Sequence, residues 1–153
     1  MIGLTNKYIE NLVHILDISN SFKGAFSSDN IPLFSDYNVS LICNLSKSNE
    51  KGSHFVAIYI KSDRIFYFDP LGLQCVVKEI CDYLKIYNKR IIHSLRAIQH
   101  PMSFHCGYFC TGFILAMSKK YSLIQFQNLF TPTKLLENDK IICDFIISSL
   151  HSH

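Results

Sequence analysis

Apolar residues recur at helical spacing in several stretches of the chain. After Thr5, a residue typical of a helix N-cap, positions 8, 12, 15 and 16 are apolar and predict a helix that ends near Leu16. The same spacing predicts further helices at residues 76–87, 106–120, 122–130 and 139–150. The helix at 106–120 is apolar on most of its surface, so we expect it to be buried. We expect Asp139 to cap the last helix.

Runs of β-branched and aromatic residues lie between these helices. They predict strands at residues 39–45, 55–60, 64–68 and 90–98. A Lys-Ser-Asp turn joins the second of these strands to the third and indicates a β-hairpin. Together the elements predict the α+β class, with a central mixed, largely antiparallel sheet and helices packed around it.

Length and composition narrow the class of protein. A chain of 153 residues that is 48% hydrophobic and 18% charged suits one globular domain, spanning residues 1–153. No apolar run approaches the roughly 20 residues that cross a bilayer, and the N-terminus has no signal-peptide pattern, so we expect neither membrane insertion nor secretion. The net charge of +3 does not by itself predict a nucleic-acid-binding protein.

Composition alone does not distinguish one cysteine of this chain from another. We expect them to be mostly free thiols because no export signal is present; they are Cys43, Cys75, Cys81, Cys106, Cys110 and Cys143. A zinc site is disfavoured because the chain has no second pair of closely spaced ligands. We expect no metal and no cofactor. Apolar neighbours favour inert burial for most of these thiols. Cys106 differs because it lies at the start of a predicted helix.

A cysteine nucleophile needs a base, a group that orients the base, and donors for the oxyanion. His54 begins one strand of the predicted hairpin and Asp69 follows the other, so the two side chains can lie together at one sheet edge. Cys106 begins the buried helix, whose N-terminus favours a thiolate. Gln99 offers an amide donor, and Gly107 leaves room for a substrate backbone. In a chain with six cysteines and seven histidines, many other such sets are available.

A resemblance to a known family decides among these sets. The chain contains four ordered motifs, which are Gly52-Ser53-His54-Phe55, Tyr67-Phe68-Asp69-Pro70-Leu71-Gly72, Gln99-His100-Pro101 and Cys106-Gly107-Tyr108-Phe109-Cys110. Together they resemble the adenovirus maturation protease (adenain) family of cysteine endopeptidases, and more distantly the proteases that remove ubiquitin-like modifiers such as SUMO. The resemblance implies an adenain/Ulp1-like fold over essentially the whole chain. It also implies that residues 22–26 form an early aromatic-glycine loop.

The resemblance assigns a role to each site residue. It implies that Cys106 is the nucleophile, that His54 is the general base and then acid, and that Asp69 orients His54. Gln99 and Cys106 would form the oxyanion hole.

The resemblance also implies three residues that contact the substrate, Gly52, Phe55 and Gly107. Two positions depart from the family pattern. Phe55 stands where tryptophan is usual, and Asp69 stands where several members have glutamate.

Substrate and partners also follow from the resemblance. It implies cleavage of viral structural precursors after glycine in small-residue motifs, through an acyl-enzyme, during virion maturation in the nucleus or cytoplasm. An activating peptide tethered by a disulfide, as in mammalian virus enzymes, is not expected because no cysteine lies between Cys81 and Cys106. The modest net charge argues against strong stimulation by DNA.

Three alternative functions remain open from sequence. The chain could remove ubiquitin-like modifiers, it could be an acetyltransferase built on the same triad, or it could be a silent binding domain that kept the fold.

Overall fold

The computed structural model of the protein describes residues 5–16, 21–36, 38–50 and 54–151. Its helices are α1 (Asn6–Ile15), α2 (Lys78–Ile86), α3 (Cys106–Ser118), α4 (Leu123–Gln127) and α5 (Asn138–His151), with a 3-10 helix at Leu135–Glu137 before α5. Its strands are β1 (Phe22–Ser27), β2 (Val39–Asn44), β3 (Phe55–Ile60), β4 (Arg64–Phe68) and β5 (Arg90–His93). Within these ranges no helix is both long and apolar enough to cross a membrane.

The described strands form one five-stranded sheet in the order β1-β2-β3-β4-β5. The three central strands pair antiparallel, and each outer strand pairs parallel with its neighbour. The turn between β3 and β4 closes with a hydrogen bond from Lys61 N–H to the carbonyl of Arg64, 2.8 Å long. The mixed sheet and the hairpin predicted from the sequence are both confirmed.

Apolar side chains fill both faces of the sheet. One face packs against α1, α3, α4 and α5, and the other packs against α2. In α3, 11 of the 13 residues are buried, as its apolar pattern predicts. Phe113 of α3 stacks on Phe68 of β4 with ring centroids 4.6 Å apart. Because α3 is enclosed in this way, its first residue has a fixed position relative to the sheet.

Several helix starts agree with the predictions. Thr5 caps α1 by accepting a hydrogen bond from Tyr8 N–H at 3.2 Å. A capping box formed by Ser122 and Gln125 begins α4. The helix predicted at 139–150 is α5, but Asp139 is not its first residue: the helix begins at Asn138, and the Asp139 carboxylate instead contacts a loop residue, Ser103.

Two strand predictions differ from the structure. Residues 22–26 belong to strand β1, although the family resemblance implied a loop. The register of β1 shifts near Gly24, whose φ is +141°. Because of this irregularity, the sequence lacks the regular alternation of apolar and polar residues that would indicate a strand. The strand predicted at 90–98 ends at His93. Beyond it the chain leaves the sheet because Ile98 and Gln99 donate their N–H groups to the carbonyl of Pro70.

Candidate active site

His54 and Asp69 meet at one edge of the sheet, where the hairpin strands begin and end. His54 Nε2 donates a hydrogen bond to Asp69 Oδ1 across 2.8 Å. The side chain of Asp69 is 3% exposed and that of His54 is 17% exposed, so the pair is shielded but open on one side. The predicted contact between these residues is present in the structure.

The turn after β4 fixes the Asp69 carboxylate. Asp69 Oδ1 also accepts the N–H of Leu71 at 2.9 Å, and the carbonyl of Asp69 accepts the N–H of Gly72 at 2.8 Å. The N–H of Asp69 donates to the hydroxyl of Ser94 at 3.2 Å. Backbone bonds thus fix Asp69 in the chain, and the Leu71 N–H fixes its Oδ1, so the carboxylate holds the His54 ring in one orientation.

Cys106 is the first residue of α3 and lies next to His54. Cys106 is close enough to His54 to act on the charge of the ring, so the three side chains lie in the order Cys106, His54, Asp69. The residue before the helix, His105, makes no side-chain capping bond to the first turn of α3. The N–H groups in the first turn of a helix have no acceptor within the helix and form its positive end, which suits an oxyanion formed beside Cys106.

The electrostatics of His54 favour its protonated form. Burial by itself lowers the pKa of His54, but its hydrogen bond to Asp69, its interaction with the neighbouring Cys106 and the negative charge of Asp69 raise the pKa to about 9. At neutral pH the ring is therefore cationic. An imidazolium beside the sulfur is the partner that a cysteine thiolate needs.

A second cysteine anchors the helix that carries Cys106. Cys110, one turn further along α3, donates its thiol to the carbonyl of Phe55 at 3.4 Å. Phe55 follows His54 in the chain, so this bond ties the first turns of α3 to the start of β3. Burial raises the pKa of the Cys110 thiol well above its ordinary value, which suits a structural rather than a reactive thiol.

Gln99 lies between the Asp69 turn and the loop that leads to Cys106. Its backbone N–H donates to the carbonyl of Pro70 at 3.0 Å, and its side-chain Nε2 donates to the carbonyl of Ser103 at 3.0 Å. Gln99 as a whole is 3% exposed, and its Oε1 has no hydrogen-bond partner among the described residues. An amide nitrogen has two hydrogens, so the bond to Ser103 fixes the amide and leaves one hydrogen for another acceptor.

The three residues expected to contact the substrate have different positions. Gly107 lies in the first turn of α3, and its carbonyl accepts the Thr111 hydroxyl at 2.8 Å. The side chain of Phe55 is 3% exposed and packs in the core, so it lies beneath the surface rather than on it. Gly52 falls outside the described residues.

Sequence reasoning missed two residues that hold this site. They are Ser94, which accepts the N–H of Asp69, and Ser103, which orients Gln99. Neither lies in one of the four motifs, and a serine in a polar loop carries no signal that separates it from a solvated one. In the described part of the chain, no group of three or more histidine, cysteine or carboxylate side chains could hold a metal ion.

Known structures share this arrangement of strands and helices. The ASFV pS273R protease matches with a TM-score of 0.62 and 17% identity over 92% of this chain and 66% of that chain. The SUMO protease Ulp1, with its catalytic cysteine oxidised to a sulfinic acid, matches with a TM-score of 0.52 and 14% identity over 97% of this chain and 79% of that one. ChlaDub1 from Chlamydia trachomatis matches with a TM-score of 0.53 and 12% identity over 99% and 80%.

These likenesses concern the fold. The chain spans 42% and 66% of the lengths of two ASFV pS273R protease structures that it matches. By sequence, no protein-family model and no curated protein matches it. The protein therefore has the Ulp1-like cysteine protease fold that its motifs predict.

Proposed function

We propose that the protein is a cysteine endopeptidase that cleaves viral structural precursor proteins during virion maturation. The observation that carries this proposal is the hydrogen-bonded pair His54–Asp69, with Cys106 beside it at the N-terminus of a buried helix. The fold shared with the ASFV pS273R protease supports the proteolytic activity and the viral setting.

The first half of the reaction forms an acyl-enzyme. The Cys106 thiolate attacks the carbonyl carbon of the scissile peptide bond, and its electron pair forms the carbon–sulfur bond. The carbonyl oxygen becomes an oxyanion, which accepts the backbone N–H of Cys106 and the free N–H of Gln99. As the carbon–nitrogen bond breaks, the His54 imidazolium donates its proton to the leaving amine.

The second half releases the product and restores the thiolate. Neutral His54 takes a proton from a water molecule, whose oxygen attacks the thioester carbon. The carbon–sulfur bond breaks, the carboxylic acid leaves, and the sulfur again faces a protonated His54. Asp69 keeps the ring oriented in both halves and stabilises its positive charge.

The proposed substrates are polypeptides with small residues before the cleaved bond. A cleavage site after glycine suits a substrate backbone that lies close to Gly107, where no Cβ of the enzyme intervenes. The enzyme would act inside the host cell at assembly sites and in the virion. Any activating peptide would bind without a disulfide, and stimulation by nucleic acid would be weak at a net charge of +3.

Replacement of Cys106 tests the proposal. We expect Cys106→Ala to lower cleavage of a co-expressed viral precursor by about 10³-fold or more, because the nucleophile is lost. Cys81→Ala is the matched control, since that thiol lies on α2, which packs on the opposite face of the sheet from α3. In a parallel assay, a thiol-directed peptide electrophile should label Cys106 and should require His54. Full activity of Cys106→Ala, or labelling independent of His54, would overturn the assignment.

A second candidate is a protease that removes ubiquitin-like modifiers. The fold shared with the SUMO protease Ulp1 favours it. Fusions of folded modifiers and unstructured Gly-x-Gly peptides, assayed side by side, separate the two functions. Turnover of one folded modifier in preference to every peptide would make this candidate the better one.

A further inference from the structure

The loop between Gln99 and Cys106 is held from a distant helix. Asp139, in the first turn of α5, accepts a hydrogen bond from the Ser103 hydroxyl through Oδ1 at 2.8 Å. Its Oδ2 lies 3.4 Å from Nδ1 of His105, an ion-pair distance. The side chains of Asp139 and His105 are 22% and 19% exposed, so solvent screens this contact only in part. One carboxylate thus reaches two residues of the loop.

Ser103 connects this carboxylate to the oxyanion donors. Its carbonyl accepts Nε2 of Gln99 at 3.0 Å, and its hydroxyl accepts the N–H of His105 at 3.1 Å. His105 is the residue before Cys106. The hydroxyl of Ser103 can accept from His105 and donate to Asp139 at the same time, because a hydroxyl is both acceptor and donor.

The neighbouring residue on α5 holds the beginning of the same loop. Asn138 is fully buried, and its Nδ2 donates to the carbonyl of Ile98 at 2.8 Å and to the carbonyl of Thr131 at 3.0 Å. Its Oδ1 accepts the N–H of Thr131 at 2.8 Å. The start of α5 is therefore fixed to the residue before Gln99, which sets the distance from Asp139 to Ser103.

We propose that Asp139 is a positioning residue of the oxyanion hole: through Ser103 it holds the Gln99 amide with one N–H facing the reacting carbonyl. The inference rests on the proposed function and extends it to a residue outside the triad. Asp139 does not touch the substrate. A charge-assisted hydrogen bond to the Ser103 hydroxyl keeps the Ser103 carbonyl in place, and that carbonyl selects one orientation of the amide.

Kinetics of a short series of variants test the inference on a peptide carrying Gly-x-Gly before the cleaved bond. Asp139→Ala and Ser103→Ala should each lower kcat by about 10- to 100-fold with little change in KM, because an oxyanion donor acts in the transition state and its full removal costs about 10²- to 10³-fold. Asp139→Asn keeps an acceptor for Ser103 and should retain activity within about threefold. Asp144→Ala, an exposed substitution on the same helix, is the matched control.

A double-mutant cycle separates positioning from a general loss of stability. If Asp139 acts through Gln99, Asp139→Ala should cost at most about threefold when added to Gln99→Ala, because the donor that it positions is already gone. A loss in the double variant equal to the product of the two single losses would overturn the inference. If Asp139→Ala fails to fold, the same cycle can be measured with Ser103→Ala in its place.

Alkylation of Cys106 by iodoacetamide distinguishes failure of this inference from failure of the proposed function. That reaction forms no oxyanion, so Asp139→Ala should be alkylated at the wild-type rate while it cleaves peptide slowly. Wild-type protein that neither cleaves peptide nor shows His54-dependent alkylation would refute the protease itself. Wild-type cleavage with an unimpaired Asp139→Ala would refute the positioning role alone.

Discussion

The His54–Asp69 side of the site and the Gln99–Cys106 side are held by different kinds of contact. His54 and Asp69 are fifteen positions apart, directly before and directly after the two strands of the hairpin, and one direct hydrogen bond joins them. Gln99 and Cys106 are closer in the chain, but they are connected through other residues. One of these is Ser103, whose carbonyl accepts the Gln99 amide. That serine is bound in turn by a carboxylate 36 positions away.

This difference separates two chemical tasks. In the proposed reaction, the hairpin side sets the protonation of the base and the reactivity of the thiol. In the same proposal, the loop side positions the donors for the oxyanion, so a change there should leave the reactivity of the thiol unaltered. Substitutions on the two sides should therefore give different kinetic signatures.

Removal of His54 should have the largest effect on the hairpin side. We expect His54→Ala to lower kcat/KM by about 10³- to 10⁴-fold, because both the thiolate partner and the proton donor are lost. Alkylation of Cys106 at pH 7 should slow in parallel. His14→Ala, an exposed histidine on α1, should leave both rates unchanged. Unchanged alkylation in His54→Ala would mean that the hairpin does not control the thiol.

Asp69→Asn should shift the pH dependence of kcat/KM. In the wild type the imidazolium persists as the pH rises to about 9, where the activity should begin to fall. The amide cannot raise the pKa of His54 as the carboxylate does, so the alkaline limb should move down by about one to three pH units. A profile measured between pH 5 and 10 tests this, and an unmoved alkaline limb would contradict it.

The same raised pKa links fold stability to pH. A group whose pKa is higher in the folded state stabilises the fold below its unfolded pKa, about 6.5 for histidine. That contribution should disappear as the pH rises through about 9, the pKa of His54 in the folded protein. Wild type and Asp69→Asn should therefore differ less in unfolding free energy at pH 10 than at pH 6, as urea denaturation can show.

Gly72→Ala should disturb the turn that both sides share. Gly72 has a φ of +75°, and an added Cβ would lie 2.6 Å from the backbone nitrogen of Ala97. We expect a loss of about 2 to 3 kcal/mol of stability from strain and displacement. Leu73→Ala, a 55% exposed neighbour, should change stability by less than about 0.5 kcal/mol. Equal unfolding midpoints for the two variants would show that the turn tolerates a side chain.

Ser94→Ala should have the smallest effect of the series. The substitution removes the acceptor for the Asp69 N–H, a bond of 3.2 Å in a buried place. We expect a cost of about 1 kcal/mol in stability and a change in kcat of less than about threefold, since the carboxylate keeps the Leu71 N–H. Thermal unfolding and steady-state rates check both numbers. A larger loss of rate than of stability would give Ser94 a direct part in orienting Asp69.

The hairpin side could be predicted from sequence because its signals are local. Strands β3 and β4 lie where their apolar runs predict them, and α3 begins at Cys106 as expected. Once two strands form a hairpin, their outer ends must lie together, so the contact between His54 and Asp69 follows from the pairing alone.

The loop side could not be predicted in the same way. The sequence around Asp139 is as consistent with a helix cap as with any other role. Its partner, Ser103, is also remote in the chain. Neither residue has a spacing or a composition that marks the pair. The end of β5 was missed for a related reason: the acceptor that draws the chain out of the sheet is the carbonyl of Pro70, which no side-chain pattern reveals.

The carbonyl of Pro70 accepts the N–H groups of both Ile98 and Gln99, at 2.9 and 3.0 Å. It makes the turn after Asp69 and the backbone of Gln99 a single unit, so neither can adapt to a bound molecule without the other. By contrast, Met102 and Phe104, in the next segment, are 74% and 54% exposed. We therefore expect a molecule bound at the proposed site to meet a fixed wall at Gln99, whereas Met102 and Phe104 offer exposed apolar surface in the segment that leads to Cys106.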